Sequence, residues 1–129
     1  MKNDMKTTTD IGRYGENAAA QFLKAKKYKI REQNYHASHN EIDIIAEDRK
    51  YIVFVEVKTR TVVVDSTFEY ETPASAVTHT KQKRVLAAAQ AYLNLYPTKK
   101  TPRLDVIEVY LSQSGEILEI NHMEDAFSN

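Results

Sequence analysis

The sequence predicts a single α/β domain in which helices flank a mixed β-sheet. The chain has 129 residues, enough for one domain with a sizeable core and too few for two ordinary ones. Two segments carry apolar residues at helical spacing, and at least four others are rich in Val and Ile or alternate between apolar and polar residues. Their order is helix, three strands, helix and strand, which is typical of one α/β domain around a mixed sheet.

The two predicted helices are each defined by an apolar face. The first runs from about residue 11 to residue 27, with Asp10 as its N-cap. Its apolar stripe comprises Ile11, Gly15, Ala18, Phe22 and Ala25. The second helix runs from about residue 78 to residue 96 and ends before Pro97. Its predicted buried face comprises Val85, Leu86, Ala89, Tyr92, Leu93 and Tyr96.

Four strands are predicted at residues 28–36, 40–46, 51–59 and 103–111, with 116–120 as a fifth candidate after Gly115. A short polar turn from residue 47 to residue 50 joins the second strand to the third. Residues 61–76 begin like a strand and lose their periodicity before Pro73, so their second half is predicted to be a loop. The chain is thereby divided into a loose tail at 1–9, a domain at 10–122 and a C-terminal tail at 123–129.

Composition limits the classes of protein to which the chain can belong. It has 18 basic and 18 acidic residues, so any basic surface that binds nucleic acid must be local. There is no cysteine, which excludes disulfides and thiolate metal sites. No apolar run reaches the ~18 residues of a membrane span, and the N-terminus lacks the apolar stretch of a signal peptide. We therefore expect a soluble cytoplasmic protein that does not enter a membrane.

The second and third strands carry charged residues where a buried hairpin would be apolar. Because side chains alternate along a strand, Glu41 and Asp43 share one face with Glu56 and Lys58. A turn centred between residues 48 and 49 would place Glu41 opposite Glu56 and leave Asp43 diagonal to Glu56, within side-chain reach. The opposite face is predicted to be purely apolar and comprises Ile42, Ile44, Val53, Val55 and Val57.

Two interpretations of these charges remain open from the spacing alone. Carboxylates gathered on a covered surface need a positive partner, and Mg²⁺ or Mn²⁺ would provide one through hard oxygen ligands. Such a metal can polarise a phosphodiester and activate a water, while Lys58 orients that water or stabilises developing negative charge. The alternative is a structural ion pair between Lys58 and one of the acids at an exposed sheet edge.

The same residues resemble a known signature. Asp43, Glu56 and Lys58 match the PD-(D/E)xK pattern of nucleases with a restriction-endonuclease-like fold. Five segments together resemble the bacterial YraN family, which is similar to archaeal-type Holliday-junction resolvases: GRYGENAAAQFL (12–23), NEIDIIA (40–46), FVEVKTR (54–60), VTHTKQKR (77–84) and RLDV (103–106). The resemblance covers nearly the whole chain after residue 10.

This resemblance implies a restriction-endonuclease-like domain that hydrolyses DNA phosphodiester bonds with Mg²⁺ or Mn²⁺. Branched or structured DNA in repair or recombination is the implied substrate, and symmetric cutting of a junction would need a homodimer. In the matching positions, Asp43 and Glu56 are metal ligands, Lys58 is the catalytic lysine, and the backbone carbonyl of Val57 is a further ligand. Glu16, in the G-x-x-G-E motif, is implied to be an outer-sphere ligand. From its residues alone it would be a solvated glutamate at a helix edge.

The sequence departs from the family pattern at two places. Asn40 stands where the family has Gly before E-I-D, and Asn tolerates a positive φ better than most residues. Glu41 in this string either joins the metal shell or pairs with a basic neighbour. In the stretch 68–73, Glu69 and Glu71 stand in a segment where the family has a glycine, and they would repel phosphates at a cleft.

Basic residues fall into two groups, and the uncharged Gln82 is considered with the first. Lys81 and Gln82 lie one turn before Val85 on the second helix, where they form either a phosphate cradle or a rim at which the lysine snorkels past the core. Arg60 and Arg84 would extend a nucleic-acid surface there. The second group, at residues 24–31, is interpreted as a solvated surface near a helix C-terminus, with phosphate binding as the alternative. Arg103 and Asp105 are expected to form a structural ion pair, and His36 and His39 to lie in loops.

Two other functions are consistent with the sequence. One is a non-catalytic nucleic-acid-binding module that retains the nuclease fold, which zero net charge and the acidic stretch at 69–71 favour. The other is a protein-interaction domain in which the acids form a structural ion-pair cluster.

Overall fold

The structure, a computed structural model, describes residues 7–62 and 79–126. Within these ranges the elements are α1 (Thr8–Ala25), β1 (Lys29–Ala37), β2 (Asn40–Glu47), β3 (Tyr51–Thr61), α2 (His79–Leu95), β4 (Thr101–Leu111) and β5 (Ile117–Met123). All four predicted strands, the fifth candidate and both helices are therefore confirmed, with ends shifted by a few residues. The predicted loop in 61–76, with Glu69 and Glu71, lies outside the described residues from position 63 onward.

The five strands form one sheet in the order β1-β2-β3-β4-β5. β3 and β4 are parallel, with Val57 opposite Ile107, and every other neighbouring pair is antiparallel. The crossover from β3 to β4 contains α2, as a parallel connection requires. One hydrophobic cluster joins α1 to one face of the sheet, and a second joins α2 to the other face. This confirms the predicted α/β fold with a mixed sheet flanked by helices, which is compatible with a restriction-endonuclease-like domain.

Helix α1 begins earlier than predicted and buries a different face. Thr7, not Asp10, is the N-cap, because its side-chain oxygen accepts the backbone N–H of Asp10 at 3.0 Å. The fully buried apolar side chains are Ala19, Ala20 and Leu23, while the predicted Ala18 and Phe22 are only partly buried. The small Ala side chains let the helix axis come close to the sheet, so the line along which α1 contacts the sheet passes through them.

Gly15 allows the closest approach of α1 to the sheet. It is buried, and a Cβ atom placed on it would overlap the side chain of Thr59 in β3. Any larger residue would therefore push α1 away from β3. This contact fixes the position of the next residue, Glu16.

Helix α2 buries a narrower face than predicted. Val85, Ala88, Ala89 and Tyr92 are buried against β2 and β3. The predicted Leu86 is 51% exposed and Tyr96 is 47% exposed, because the contact line passes through Ala88 and Ala89. No described helix is long and apolar enough to cross a membrane.

The β2–β3 hairpin differs from the predicted register by two residues. The backbone N–H of Asp48 donates to the carbonyl of Tyr51, and the carboxylate of Asp48 accepts the N–H groups of Lys50 and Tyr51. The turn is thus centred between residues 49 and 50, and Ile45 pairs with Phe54. The described register ends with Ile44 opposite Val55, so the predicted pairing of Glu41 with Glu56 is not part of it. Along the paired segment from Ile44 to Glu47, a shift of two preserves which residues share a face.

A buried polar network lies at the start of β4. Arg103 donates from Nε and a terminal nitrogen to the two oxygens of Asp105, both at 2.9 Å, which confirms the predicted ion pair. The ring of His122 in β5 bonds to Asp105 at 2.7 Å, and the backbone N–H of Asp125 donates to the same carboxylate. Arg103 also donates to the hydroxyl of Tyr28 at 2.6 Å. The network ties β4, β5 and the segment before β1 together.

Candidate metal centre

A cleft of about 600 Å³ opens where the N-terminal half of α1 meets the sheet. Three strands contribute to it: the second half of β1, the first residues of β2 and the second half of β3. Its walls comprise Thr9, Ile11, Gly12, Arg13, Glu16, Asn34, His36, Glu41, Asp43, Val57, Lys58 and Thr59. The cleft is thus lined by four of the five predicted catalytic and metal-binding residues, and Glu56 is the one that does not line it.

Regular alternation in β2 breaks at Asp43. Ile42 packs in the cluster on the α2 side, whereas Ile44, Val53 and Val55 pack on the α1 side with Val57 against them, so the predicted apolar face is confirmed except at Ile42. The described pairing of β2 with β3 ends at Ile44. In β1, the strand on the other side of β2, Asn34 has a positive φ of 55°. Freed from regular pairing, the carboxylate of Asp43 accepts the backbone N–H of Val57 at 2.8 Å. The break therefore turns Asp43 toward β3 at the cleft.

The surroundings of Asp43 and Glu56 raise the pKa of both acids. Burial and, next in importance, the nearby Glu56 carboxylate raise the pKa of Asp43 to about 7. Burial also raises the pKa of Glu56, although the Lys81 ammonium opposes that change. Only 4% of Glu56 is exposed. Ionisation of the half-buried Asp43 and the buried Glu56 stays disfavoured even though Lys81 and Lys58 lower the pKa of Glu56, so added positive charge is favourable at this site.

Lys81 of α2 is the nearest cation to this pair. Its Nζ lies 2.8 Å from Oε2 of Glu56, and about half of its side chain is exposed. Lys81 therefore reaches from the helix to the sheet, as its predicted position one turn before Val85 indicates. Its partner in the structure is a carboxylate of the site itself.

Glu16 is brought to the same site by the Gly15 contact. It is 7% exposed, and its Oε2 has no hydrogen-bond partner among the described residues. Burial raises the pKa of Glu16, while hydrogen bonds to Gln33 and Asn34 oppose the shift. The carboxylate also raises the pKa of Asp43. Its placement beside the sheet excludes the alternative of a solvated helix-edge glutamate.

The remaining predicted residues take different positions. Lys58, Val57 and Glu41 line the cleft. Gln82 is half-buried and Arg84 is exposed, and neither lines it. Arg60 is half-buried near Tyr110 of β4 and also does not line the cleft. The predicted nucleic-acid surface is therefore not one continuous wall of the cleft among the described residues.

Several cleft residues were not identified as candidates from the sequence, among them Arg13, Asn34 and His36. Arg13 lies on α1, between the two glycines of the G-x-x-G-E motif, which was the available signal. Asn34 and His36 lie on β1. The prediction that His36 lies in a loop was wrong, because β1 extends to Ala37 before the turn that contains His39. Pairing of His36 with Glu41 across the β1–β2 hairpin sets its position.

The donor set fits a hard divalent cation held by few protein ligands. Within residues 7–62 and 79–126, no group of three or more His, Asp or Glu side chains is arranged to hold a metal ion. The fit rests on the half-buried Asp43, the buried Glu56 and the Oε2 of Glu16, which has no hydrogen-bond partner among the described residues. Mg²⁺ and Mn²⁺ commonly use one or two carboxylates and complete their shells with water and substrate oxygens. Soft-metal sites are excluded by the absence of cysteine.

Sequence comparisons identify proteins related to this chain. Residues 15–109 match the model of the Uncharacterised protein family UPF0102. A UPF0102 protein from Chlorobium phaeobacteroides is 43% identical over 123 residues, covering 92% of this chain and 94% of that protein. A UPF0102 protein from Caldanaerobacter subterraneus is 44% identical over 119 residues, covering 91% and 93%. One from Clostridium botulinum is 38% identical over 120 residues, covering 92% and 94%.

Proposed function

This chain belongs to the UPF0102 family, as the resemblance to YraN proteins predicted, and we propose that it is a divalent-metal-dependent endonuclease that hydrolyses DNA phosphodiester bonds. One observation carries the proposal. The half-buried Asp43 lies where the regular pairing of β2 with β3 ends, near the buried Glu56 and in a cleft also lined by Lys58, so that the pKa of Asp43 rises to about 7. A purely structural cluster would be expected to pair these acids more completely with cations.

Each residue has a separate part in the proposed reaction. Mg²⁺ or Mn²⁺, when bound, would neutralise the carboxylates, polarise the phosphodiester and help to activate a water. Asp43 and Glu56 would hold it, with the carbonyl of Val57 as a further ligand and Glu16 bonding to metal-bound water. The ammonium of Lys58 would orient the attacking water or stabilise negative charge on the phosphate.

Branched or structured DNA in repair or recombination is the proposed substrate. The support is the family resemblance together with the cleft of about 600 Å³ that Asp43 and Lys58 line. Symmetric cutting of a junction would require a homodimer. With DNA as the substrate, the proposed location is the cytoplasm.

Cleavage assays test the proposal. Purified protein is incubated with flapped, four-way-junction and linear DNA in Mg²⁺, Mn²⁺ or EDTA, beside Lys58→Ala. We expect metal-dependent cutting, abolished by EDTA and reduced roughly 10²-fold or more in Lys58→Ala. Absence of cutting under every condition, or cutting that survives both EDTA and Lys58→Ala, would contradict the proposal.

Removing Lys81 is expected to tighten metal binding. Its ammonium occupies an oxygen of Glu56 at 2.8 Å, so a metal must compete with it for that oxygen. Lys81→Met should therefore bind Mn²⁺ roughly tenfold more tightly than the wild type in calorimetry, because the competing charge is removed. Lys83→Met, on the same helix and exposed, changes net charge equally and is the matched control. Equal affinities for Lys81→Met and the wild type would contradict this competition.

A non-catalytic DNA-binding module is the second candidate. The Lys81–Glu56 ion pair favours it, because it already neutralises one acid of the site. In that case Asp43→Asn would leave DNA affinity unchanged, and no divalent metal would produce cleavage.

A further inference from the structure

Exposed cations converge at the end of the sheet opposite the cleft. Three chain segments meet there: residues 24–29 between α1 and β1, the β2–β3 turn, and residues 97–100 between α2 and β4. Lys29 pairs with Glu47 in the sheet, and the backbone N–H of Thr101 donates to the carbonyl of Lys50 at 3.0 Å. Residues far apart in sequence are therefore neighbours at this end. We call this surface the basic end: Lys24, Lys26, Lys27, Lys29, Arg49, Lys50, Lys99 and Lys100.

Most of these side chains are available to a ligand. All of the basic end is exposed except Lys100, which is half-buried and pairs with Glu47, and Lys26 bonds to the ring of His122 at 2.8 Å. A groove of about 250 Å³ runs between the segments and is lined by Lys27, Lys29, Glu47, Asp48, Arg49 and Lys100. Every residue of the groove is charged, and four of the six are cations. The surface is thus a groove with polar walls, whereas membrane-binding surfaces combine cations with an inserted apolar face.

The acids near the groove are already engaged by the protein. Glu47 lies 3.1 Å from Arg31 and 3.2 Å from Lys100, and these cations hold its pKa below the usual value despite burial. The carboxylate of Asp48 accepts two backbone N–H groups of its own turn. A third acid of this end, Glu124, follows β5 and lies 3.9 Å from Arg103. Glu47 and Asp48 therefore do not fully neutralise the positive charge of the exposed lysines and arginine.

The basic end is separate from the cleft. Glu56 lies six positions along the chain from Lys50, which corresponds to roughly 20 Å at the usual strand rise. Strands β1 to β4 together span roughly 14 Å across this end. Since one DNA strand places a phosphate about every 3.4 Å along the duplex axis, such a row of cations can meet several phosphates.

We propose that the basic end binds the phosphodiester backbone of duplex DNA at a surface distinct from the cleft, so that one arm of a substrate is held while another is presented to Asp43 and Lys58. The inference rests on DNA as the proposed substrate. It concerns binding alone and does not require that DNA is cut. Zero net charge agrees with it, because the cations are gathered locally and not spread over the molecule.

Anisotropy measurements with a fluorescein-labelled 20-base-pair duplex in EDTA test the inference. The test variant is Lys29→Gln with Arg49→Gln, two exposed side chains with no described ion pair. The control is Gln90→Glu with Gln113→Glu, which lowers net charge by the same two units on exposed residues outside the basic end. Circular dichroism confirms that both variants fold. We expect roughly tenfold weaker binding and a salt slope smaller by about 2 in the test variant only.

The outcomes separate this inference from the proposed nuclease activity. Equal losses in both variants, or binding by the test variant equal to the wild type, would overturn the basic end as a DNA site. Tighter binding to anionic phosphatidylserine vesicles than to the duplex would overturn DNA as its ligand. If either result were found while the wild type still cut DNA in a metal-dependent way, the nuclease proposal would stand. If only the test variant lost duplex binding and the wild type cut no DNA, the basic end alone would be supported.

Discussion

Asp43→Asn is expected to abolish metal-dependent cleavage and to raise the stability of the metal-free protein. Asn retains the shape of the side chain and an oxygen that can accept the Val57 N–H now bonded at 2.8 Å. It cannot ionise, so it removes the charge that burial and Glu56 disfavour. The same substitution should therefore weaken Mn²⁺ binding and relieve repulsion, with opposite effects on function and on the free energy of unfolding.

The stability change should depend on pH with a defined sign. In the folded protein the pKa of Asp43 is raised from 3.8 to about 7, so the folded state binds a proton that the unfolded state has released between these values. Wild-type stability consequently falls as pH rises from about 4 to about 7, and the penalty is complete above that window. At pH 8 the advantage of Asn should be about 1–4 kcal/mol, allowing for partial exposure of the carboxyl, and it should vanish near pH 4.

Thermal unfolding in EDTA between pH 4 and pH 8 measures this difference. Asp10→Asn is a matched control, because Asp10 is an exposed acid in the first turn of α1. If Asp43→Asn were less stable than the wild type at pH 8 without metal, the carboxylate would be stabilising the fold and the basis of the metal site would be wrong.

Asp105→Asn is expected to destabilise the protein by about 3–5 kcal/mol without direct involvement of the cleft. Both oxygens of Asp105 accept hydrogen bonds, from Arg103, His122 and the Asp125 N–H. An amide would direct an N–H at one of these donors and would leave the buried Arg103 without its carboxylate. Chemical denaturation at pH 7 measures the loss.

The pH dependence of this effect is the reverse of that at Asp43. Burial opposes ionisation of Asp105, but its bonds to His122, Arg103 and Asp125 outweigh burial and lower its pKa. Its contribution is therefore present above pH 4 and is lost as pH falls below that value through the folded-state pKa. Glu124→Gln provides the control, since that exposed acid lies 3.9 Å from Arg103 and should change stability by less than about 1 kcal/mol. Equal losses in the two variants would show that Asp105 makes no special contribution.

Local patterns were sufficient to predict the elements and the identity of the acidic pair. Alternation in β2 and β3 placed Asp43, Glu56 and Lys58 in one neighbourhood, and helical spacing placed Lys81 toward the sheet. The register of β2 against β3 could not be predicted from the sequence, because it depends on which four residues form the turn of the hairpin. Asp48 bonds to the N–H groups of Lys50 and Tyr51 and so moves the turn by one residue.

The shape of the site depends on tertiary contacts that no local pattern encodes. The break at Asp43 arises where β2 loses its pairing with β3, opposite an Asn34 with positive φ. The partner of Lys81 and the burial of Glu16 likewise require α1 and α2 to be placed on the sheet. The basic end combines three segments that are far apart in the sequence, at residues 24–29, 49–50 and 99–100, so only the fold reveals it.

A direct titration with Mn²⁺ tests the central claim, that Asp43 and Glu56 together hold a divalent cation. Electron paramagnetic resonance of free Mn²⁺ should show saturable binding to the wild type, competition by Mg²⁺, and loss of that binding in both Asp43→Asn and Glu56→Gln. Undetectable binding by the wild type at millimolar Mn²⁺, or binding that both variants retain, would contradict the claim.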